Sequence, residues 1–145
     1  MPFREIAYGS AEYDRERRLR EEVLRGPLGL SLTAEDMAGE ERQLHFGLFD
    51  STEILLACVV AAPLSSTDAR IRQMAVSPSR QGEGLGRRLM EEVEAELRAR
   101  GFTRLALSAR VSAVGFYEKL GYTAEGDEYV QHTIPHVWMT KSISP

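Results

Sequence analysis

A mixed α/β fold in a single domain is what this sequence predicts, and three observations carry the prediction. Three apolar, alternating runs lie close together at 43–50, 53–63 and 69–76. A long segment follows in which Leu85, Leu89, Val93 and Leu97 recur every fourth residue. After it come short alternating runs separated by Gly101 and Gly121. Alternation marks half-buried strands, and a fourth-residue stripe marks one face of a helix. The 145 residues are enough for one buried core, and no repeat or linker divides them. Residues 1–145 are therefore read as one domain.

Phe3–Tyr8 alternates weakly and reads as a first strand. Ser10 stands as an N-cap for a helix through Arg25, with Tyr13, Leu19, Val23 and Leu24 on its apolar side. Gly26-Pro27 stops it. Thr33-Ala34-Glu35-Asp36 is a capping-type start for a short helix or turn reaching Glu41. Strands Gln43–Asp50, Glu53–Pro63 and Ala69–Val76 then form an antiparallel meander, because only short turn-like breaks join them. The helix spans Gly84–Arg100. Thr103–Ser108 is a strand, Ser112–Leu120 a shorter helix, and Tyr122–Val130 and Val137–Ser142 two last strands. Ala69–Val76, the long helix and Thr103–Ser108 make a crossover unit, which sets those two strands parallel.

Composition narrows the function classes. A net charge of −4 gives no general attraction to nucleic acid or anionic membrane. The one cysteine, Cys58, excludes an internal disulfide and any multi-cysteine metal site. It sits in the apolar run ILLACVVAA and reads as core. No metal is expected. The charged start lacks an apolar stretch, and no apolar run is long enough to cross a membrane. A cytoplasmic protein is the expectation.

The informative stretch is Gln81-Gly82-Glu83-Gly84-Leu85-Gly86, where a strand turns into the long helix. Such a turn sets unpaired backbone N–H groups at the positive end of a helix dipole. Glycines let an anion approach that backbone without meeting a Cβ. The ATP-binding pattern GxxxxGK[ST] is not met, because no Lys follows, and the spacing also fails GxGxxG. A plain packing turn is the alternative.

This stretch resembles the (Arg/Gln)-x-x-Gly-x-(Gly/Ala) pyrophosphate loop of the GNAT superfamily of acyl-CoA-dependent N-acetyltransferases. Met74-Ala75-Val76-Ser77-Pro78 is similar to the strand that precedes that loop. Ala113-Val114-Gly115-Phe116-Tyr117-Glu118-Lys119-Leu120-Gly121-Tyr122 resembles the family's A-x-x-FY-x-K-x-GF segment. Ile134–Lys141 and Leu19-Arg20-x-x-Val23-Leu24 resemble a bacterial, ElaA-like branch. One departure is Arg110, which stands where many members carry Asn.

The resemblance implies a GNAT-like fold and acetyl-CoA as co-substrate, with acetyl transfer to a primary amine by direct attack in a ternary complex. It implies that the backbone of Gln81, Gly82, Glu83, Gly84, Leu85 and Gly86 holds the pyrophosphate, with Arg80 or Arg87 as charge partners. The main chain of Met74, Ala75 and Val76 would hold pantetheine as an added strand. Tyr117 stands at the general-acid position. Arg70, Arg72 and Gln73 occupy the stretch where members often carry a basic Glu, so the base is not legible. His45 is a candidate, and His136 a candidate for lining the acceptor pocket. The acidic cluster Glu35, Asp36, Glu40 and Glu41 reads either as a solvated helix face or as bait for a cationic amine. The acceptor is expected to be a small-molecule or peptide amine. The alternative is a non-catalytic acyl-CoA-binding or sensory module. A sheet edge at the C-terminal strand suits a homodimer.

Overall fold

The computed structural model describes residues 2–144. Strand β1 (Phe3–Glu5) leads to α1 (Ala11–Arg20), whose first turn is capped as expected: Ser10 Oγ accepts from the N–H of Tyr13 at 3.1 Å. The helix does not run regularly to Arg25. Residues Glu21–Arg25 widen into one π turn and Gly26–Leu28 tighten into a 3₁₀ turn. Pro27 is the cause, since its ring lacks an N–H and clashes with the carbonyl four residues back in an α-helix. The Thr33 segment forms a turn that runs into a 3₁₀ turn at Glu40–Arg42. Its capping box closes reciprocally, Asp36 N–H to Thr33 Oγ1 at 3.1 Å and Thr33 N–H to Asp36 Oδ2 at 3.0 Å. Gly39 then reverses the chain at φ +80°, a conformation that favours glycine.

The meander follows as β2 (Leu44–Phe49), β3 (Leu55–Pro63) and β4 (Asp68–Val76). Helix α2 (Leu85–Ala99) crosses to β5 (Arg104–Arg110), and α3 (Val114–Lys119) leads to β6 (Thr123–Gln131) and β7 (Ile134–Ser142). The seven strands form one sheet in the order β1-β2-β3-β4-β5-β7-β6. Only β4 and β5 are parallel, as the crossover predicts. The last strand inserts between β5 and β6, leaving β6 at the free edge with almost every residue exposed.

Each face of the sheet carries its own apolar layer. On one, Leu85, Leu89, Val93 and Leu97 of α2 lie buried against Val59, Ile71, Leu105 and Leu107. Each such side chain contributes roughly 1.5–3 kcal/mol by leaving water. On the other, Tyr13 and Leu19 of α1 pack with Phe49, Cys58 and Ala75. Among the described residues, no helix is long and apolar enough to cross a membrane.

Two features of β4 open the sheet. Its pairing with β5 stops at Ile71↔Leu107, although both strands continue. Between Cys58 and Val60 its register with β3 shifts by one residue, and Gln73 lies there at φ +52°. A non-glycine residue in that region is strained by about 1–3 kcal/mol, and a bulge bends its strand. Arg20 Nε donates to Gln73 Oε1 at 2.8 Å and holds the bulge in place. Beyond Ile71, therefore, the β5-facing edge of β4 has no strand beside it.

Candidate active site

The opening leads into a cavity of about 730 Å³ on the α1 side of the sheet. Its walls come from β4 (Arg70, Arg72, Met74), β5 (Ser108, Arg110), the α1–β2 connection (Leu24, Arg25, Asp36), the turn after β6 (His132) and β7 (His136). Tyr117 of α3 also lines it. Alternation selects these residues. Ala69, Ile71, Leu105, Leu107 and Ala109 point into the α2 layer, so Arg70, Arg72, Ser108 and Arg110 must face the other way.

The glycine turn lies just past the end of β4. Gly82 and Gly84 adopt φ +83° and +79°, and a Cβ built on either would meet nothing within 4 Å. They are needed for backbone shape and leave the approach open. Gly86 differs: its Cβ would stand 3.4 Å from Phe116 Cζ, 3.6 Å from Val76 Cγ2 and 3.7 Å from Met74 Cε. It is the point where β4, α2 and α3 meet. The helix begins at Gly84 with no side-chain cap, so its first N–H groups face outward. Arg80 Nε contacts both oxygens of Glu83 at 3.0 Å, and Arg87 pairs with Glu91 at 2.8 Å. Both arginines are thus tied to acids beside the turn.

Tyr117 is half-buried, edge-on to Phe116 and to Tyr122. Its hydroxyl has no hydrogen-bond partner among the described residues. Burial pushes its pKa up to about 12, so the phenol stays protonated over the whole physiological range. Of the strand residues expected to hold pantetheine, Met74 lines the cavity. Ala75 and Val76 pair with Cys58 and Ala57 on the β3 side, with no β5 partner on the other.

His45 lies elsewhere. It is 1% exposed and does not line the cavity. Its Nδ1 lies 2.9 Å from Glu16 Oε2, and its Nε2 lies 2.9 Å from the Glu40 carbonyl oxygen. The carbonyl only accepts, so Nε2 carries a proton, and an ionised Glu16 carboxylate favours a second proton and a positive charge on the ring. Burial opposes that charge, but the bond and proximity to Glu16 outweigh it and raise the pKa. With the ring buried and both nitrogens engaged, His45 has neither a free lone pair for an amine nor a path to one.

The acidic cluster is also spoken for. Glu40 is 0% exposed and accepts from Tyr13 Oη at 2.6 Å, from Arg72 at 2.8 Å and from both terminal nitrogens of Arg20. Burial alone would raise the Glu40 pKa, yet these donors pull it down to about 2. Asp36 pairs with Arg25 at 3.0 Å. Neither the solvated face nor the cationic bait describes Glu40 and Asp36. Glu16, Glu40 and His45 place ligand-type atoms within 4.8 Å of one another, and the Arg20 guanidinium already lies against both carboxylates.

These shifts fix a pH dependence of stability. The raised His45 pKa contributes stability that is complete below about pH 6.5 and fades as pH rises through the folded value. The depressed Glu40 pKa contributes above about pH 4.5 and is lost as pH falls toward 2. Urea denaturation across pH should therefore show wild-type stability falling on both sides of that window. The alkaline decline should be absent in His45→Gln.

His136 lies on β7, on the cavity side. It is 7% exposed, lines the cavity, and its Nδ1 lies 2.7 Å from the Ile134 carbonyl oxygen. A carbonyl only accepts, so Nδ1 donates to it and Nε2 is left without a hydrogen-bond partner among the described residues. Tyr129 stacks on the ring at 6.0 Å and shares a hydrogen bond with Ser108. Strand order explains why sequence did not assemble this wall, since pairing of Arg110 with His136 brings together residues from non-consecutive strands.

The sequence matches the family described as "Acetyltransferase (GNAT) domain" over residues 30–143. It is 34% identical to the uncharacterised protein YyaT of Bacillus subtilis (strain 168) over 76 residues, 52% of this chain and 51% of that one. The chain thus matches about half the length of that relative. Among solved structures, an aminoglycoside 6′-N-acetyltransferase complexed with coenzyme A aligns with TM-score 0.81 at 20% identity, covering 100% of this chain and 98% of that one. Escherichia coli ElaA aligns with TM-score 0.82 at 18% identity, covering 97% and 98%. At those identities the likeness is one of fold. The family match spans most of the chain and includes the glycine turn, the opened strand and the Tyr117 segment, so this chain belongs to the GNAT acetyltransferase family.

Proposed function

We propose that this protein transfers an acetyl group from acetyl-CoA to a primary amine by direct attack in a ternary complex. The observation that carries the reading is the continuity from the uncapped start of α2, along the unpaired edge of β4, to the cavity lined by Tyr117 and His136. The outward N–H groups of the glycine turn suit a pyrophosphate. The β4 edge at Met74, Ala75 and Val76 suits the amides of pantetheine, which extend the sheet as a strand would. A main-chain N–H near Met74–Ala75 stabilises the oxyanion that forms on the thioester.

The amine must lose a proton before or during attack. His136 Nε2 is the acceptor we assign, directly or through water. Attack forms the C–N bond, and collapse of the tetrahedral intermediate breaks the C–S bond. Tyr117 donates a hydrogen bond to the departing sulfur. A phenol near 12 does not hand its proton outright to a thiolate whose acid ionises at about 8.5, so its main service is to stabilise developing negative charge. Cys58 is 0% exposed and burial pushes its thiol pKa well up, in keeping with a route that needs no enzyme nucleophile.

Incubation with acetyl-CoA and a panel of amines should release free thiol in proportion to acetylated amine. Tight CoA binding without thiol release on a broad panel would instead mark a non-catalytic acyl-CoA-binding module. Gly84→Val should remain folded by circular dichroism, at a cost of about 1–2 kcal/mol for a side chain at φ +79°. It should lose CoA binding, because its side chain enters the phosphate approach. Gly84→Asn, which tolerates that φ, separates the two effects: it should melt near wild type and still bind CoA weakly. A folded variant with undiminished CoA affinity contradicts the phosphate assignment.

A further inference from the structure

The cavity wall carries more positive charge than it neutralises. Four arginines and two acids line it. Arg25 pairs with Asp36 at 3.0 Å, and Arg72 is held by Glu40 at 2.8 Å and Gln43 at 2.9 Å. Glu35 is exposed. Arg110 donates to the Leu24 carbonyl at 3.0 Å, a neutral acceptor. Arg70 lies over the Trp138 ring at 4.9 Å, and its buried Nε has no hydrogen-bond partner among the described residues. Neither Arg70 nor Arg110 contacts a carboxylate among those residues.

Leaving them so has a cost. Burial lowers the pKa of both, and a neighbouring arginine adds to it, Arg72 for Arg70 and Arg25 for Arg110. A guanidinium cannot escape by releasing its proton, so the penalty stands until an anion arrives. The phosphates of the donor are not that anion for Arg70. It sits on the paired half of β4 opposite Ala106, six residues before Val76 and roughly 20 Å along the strand from the glycine turn.

Resting on the acyl-transfer reading above, we propose that the acceptor amine also carries an anionic oxyacid group, a carboxylate or a phosphate, bound by Arg70 with Arg110 as the second cation of the wall. A planar guanidinium offers paired N–H donors to either group. A polycationic amine meets the same wall with repulsion.

The test uses the full chain, acetyl-CoA and amines matched except for the anion: β-alanine against β-alaninamide, phosphoethanolamine against ethanolamine, and spermidine as the polycation. Thiol release should favour the anionic member of at least one pair by about tenfold or more in kcat/KM, and the preferred pair tells carboxylate from phosphate. Arg70→Gln should collapse that ratio through a raised KM for the anionic member, and Arg70→Lys should restore part of it. The Gln variant should melt no lower than wild type, since it removes a buried charge without a carboxylate partner. Preference for the neutral members or spermidine, or an unchanged ratio in Arg70→Gln, overturns the inference and leaves acetyl transfer standing. If no amine releases thiol, the transfer reading falls and the anion site is judged by binding. In that case N-acetyl-β-alanine should stabilise the CoA-loaded protein more than its amide does, with the difference lost in Arg70→Gln, and no difference overturns the site.

Discussion

Tyr117→Phe is expected to lower kcat by about 10²–10³-fold while leaving CoA affinity close to wild type. The hydroxyl has no protein partner among the described residues, so removing it leaves no buried group stranded. The ring keeps its edge contacts with Phe116 and Tyr122. Melting temperature should accordingly stay within a degree or two. Single-turnover thiol release with a good acceptor, set beside CoA binding by calorimetry, separates the chemical effect from the binding one. Unchanged turnover would remove Tyr117 from the chemistry and leave it a packing residue.

Arg20→Ala is expected to cost about 3–5 kcal/mol, a large part of the 5–15 kcal/mol typical of a whole domain. Arg20 is fully buried and bonds Glu16, Glu40 and Gln73 at once. Its loss leaves two buried carboxylates short of charge and frees the bulge at Gln73. The second effect should reach the site, because that bulge turns β4 away from β5. Urea denaturation measures the first, and acetyl-CoA affinity in the folded fraction measures the second. A loss below 1 kcal/mol would mean that Arg72 and His45 suffice to hold the two acids.

Legibility followed periodicity. The meander, α2 and the parallel crossover could be read because each buries one face, and burial of one face writes alternation or a fourth-residue stripe into sequence. The glycine turn could be read because an uncapped helix start has a chemical meaning of its own. What the structure adds there is a division of labour: Gly82 and Gly84 serve backbone shape, while Gly86 serves close packing with Phe116.

The polar interior was hidden by the same logic. Glu16 and Arg20 sit in the run AEYDRERRLR, where charge reads as a solvated face. Their spacing of four residues, on the side of Tyr13, was the available sign that they pair inward. Nothing local connects them to Glu40 or His45, which reach them through the fold. The cavity wall was less legible still. Placing His136 beside Arg110 depends on β7 inserting between β5 and β6, a choice of strand order that no single stretch records.

We propose that the start of α2 and the open edge of β4 together hold acetyl-CoA. Thermal unfolding with acetyl-CoA, CoA, ATP and NAD, each in large excess, tests this most directly. A ligand at a hundredfold over its Kd stabilises the folded state by about 2.7 kcal/mol. Acetyl-CoA and CoA should both raise the melting temperature by that measure, and ATP and NAD should leave it near the unliganded value. Stabilisation by ATP or NAD with none from CoA would contradict the account.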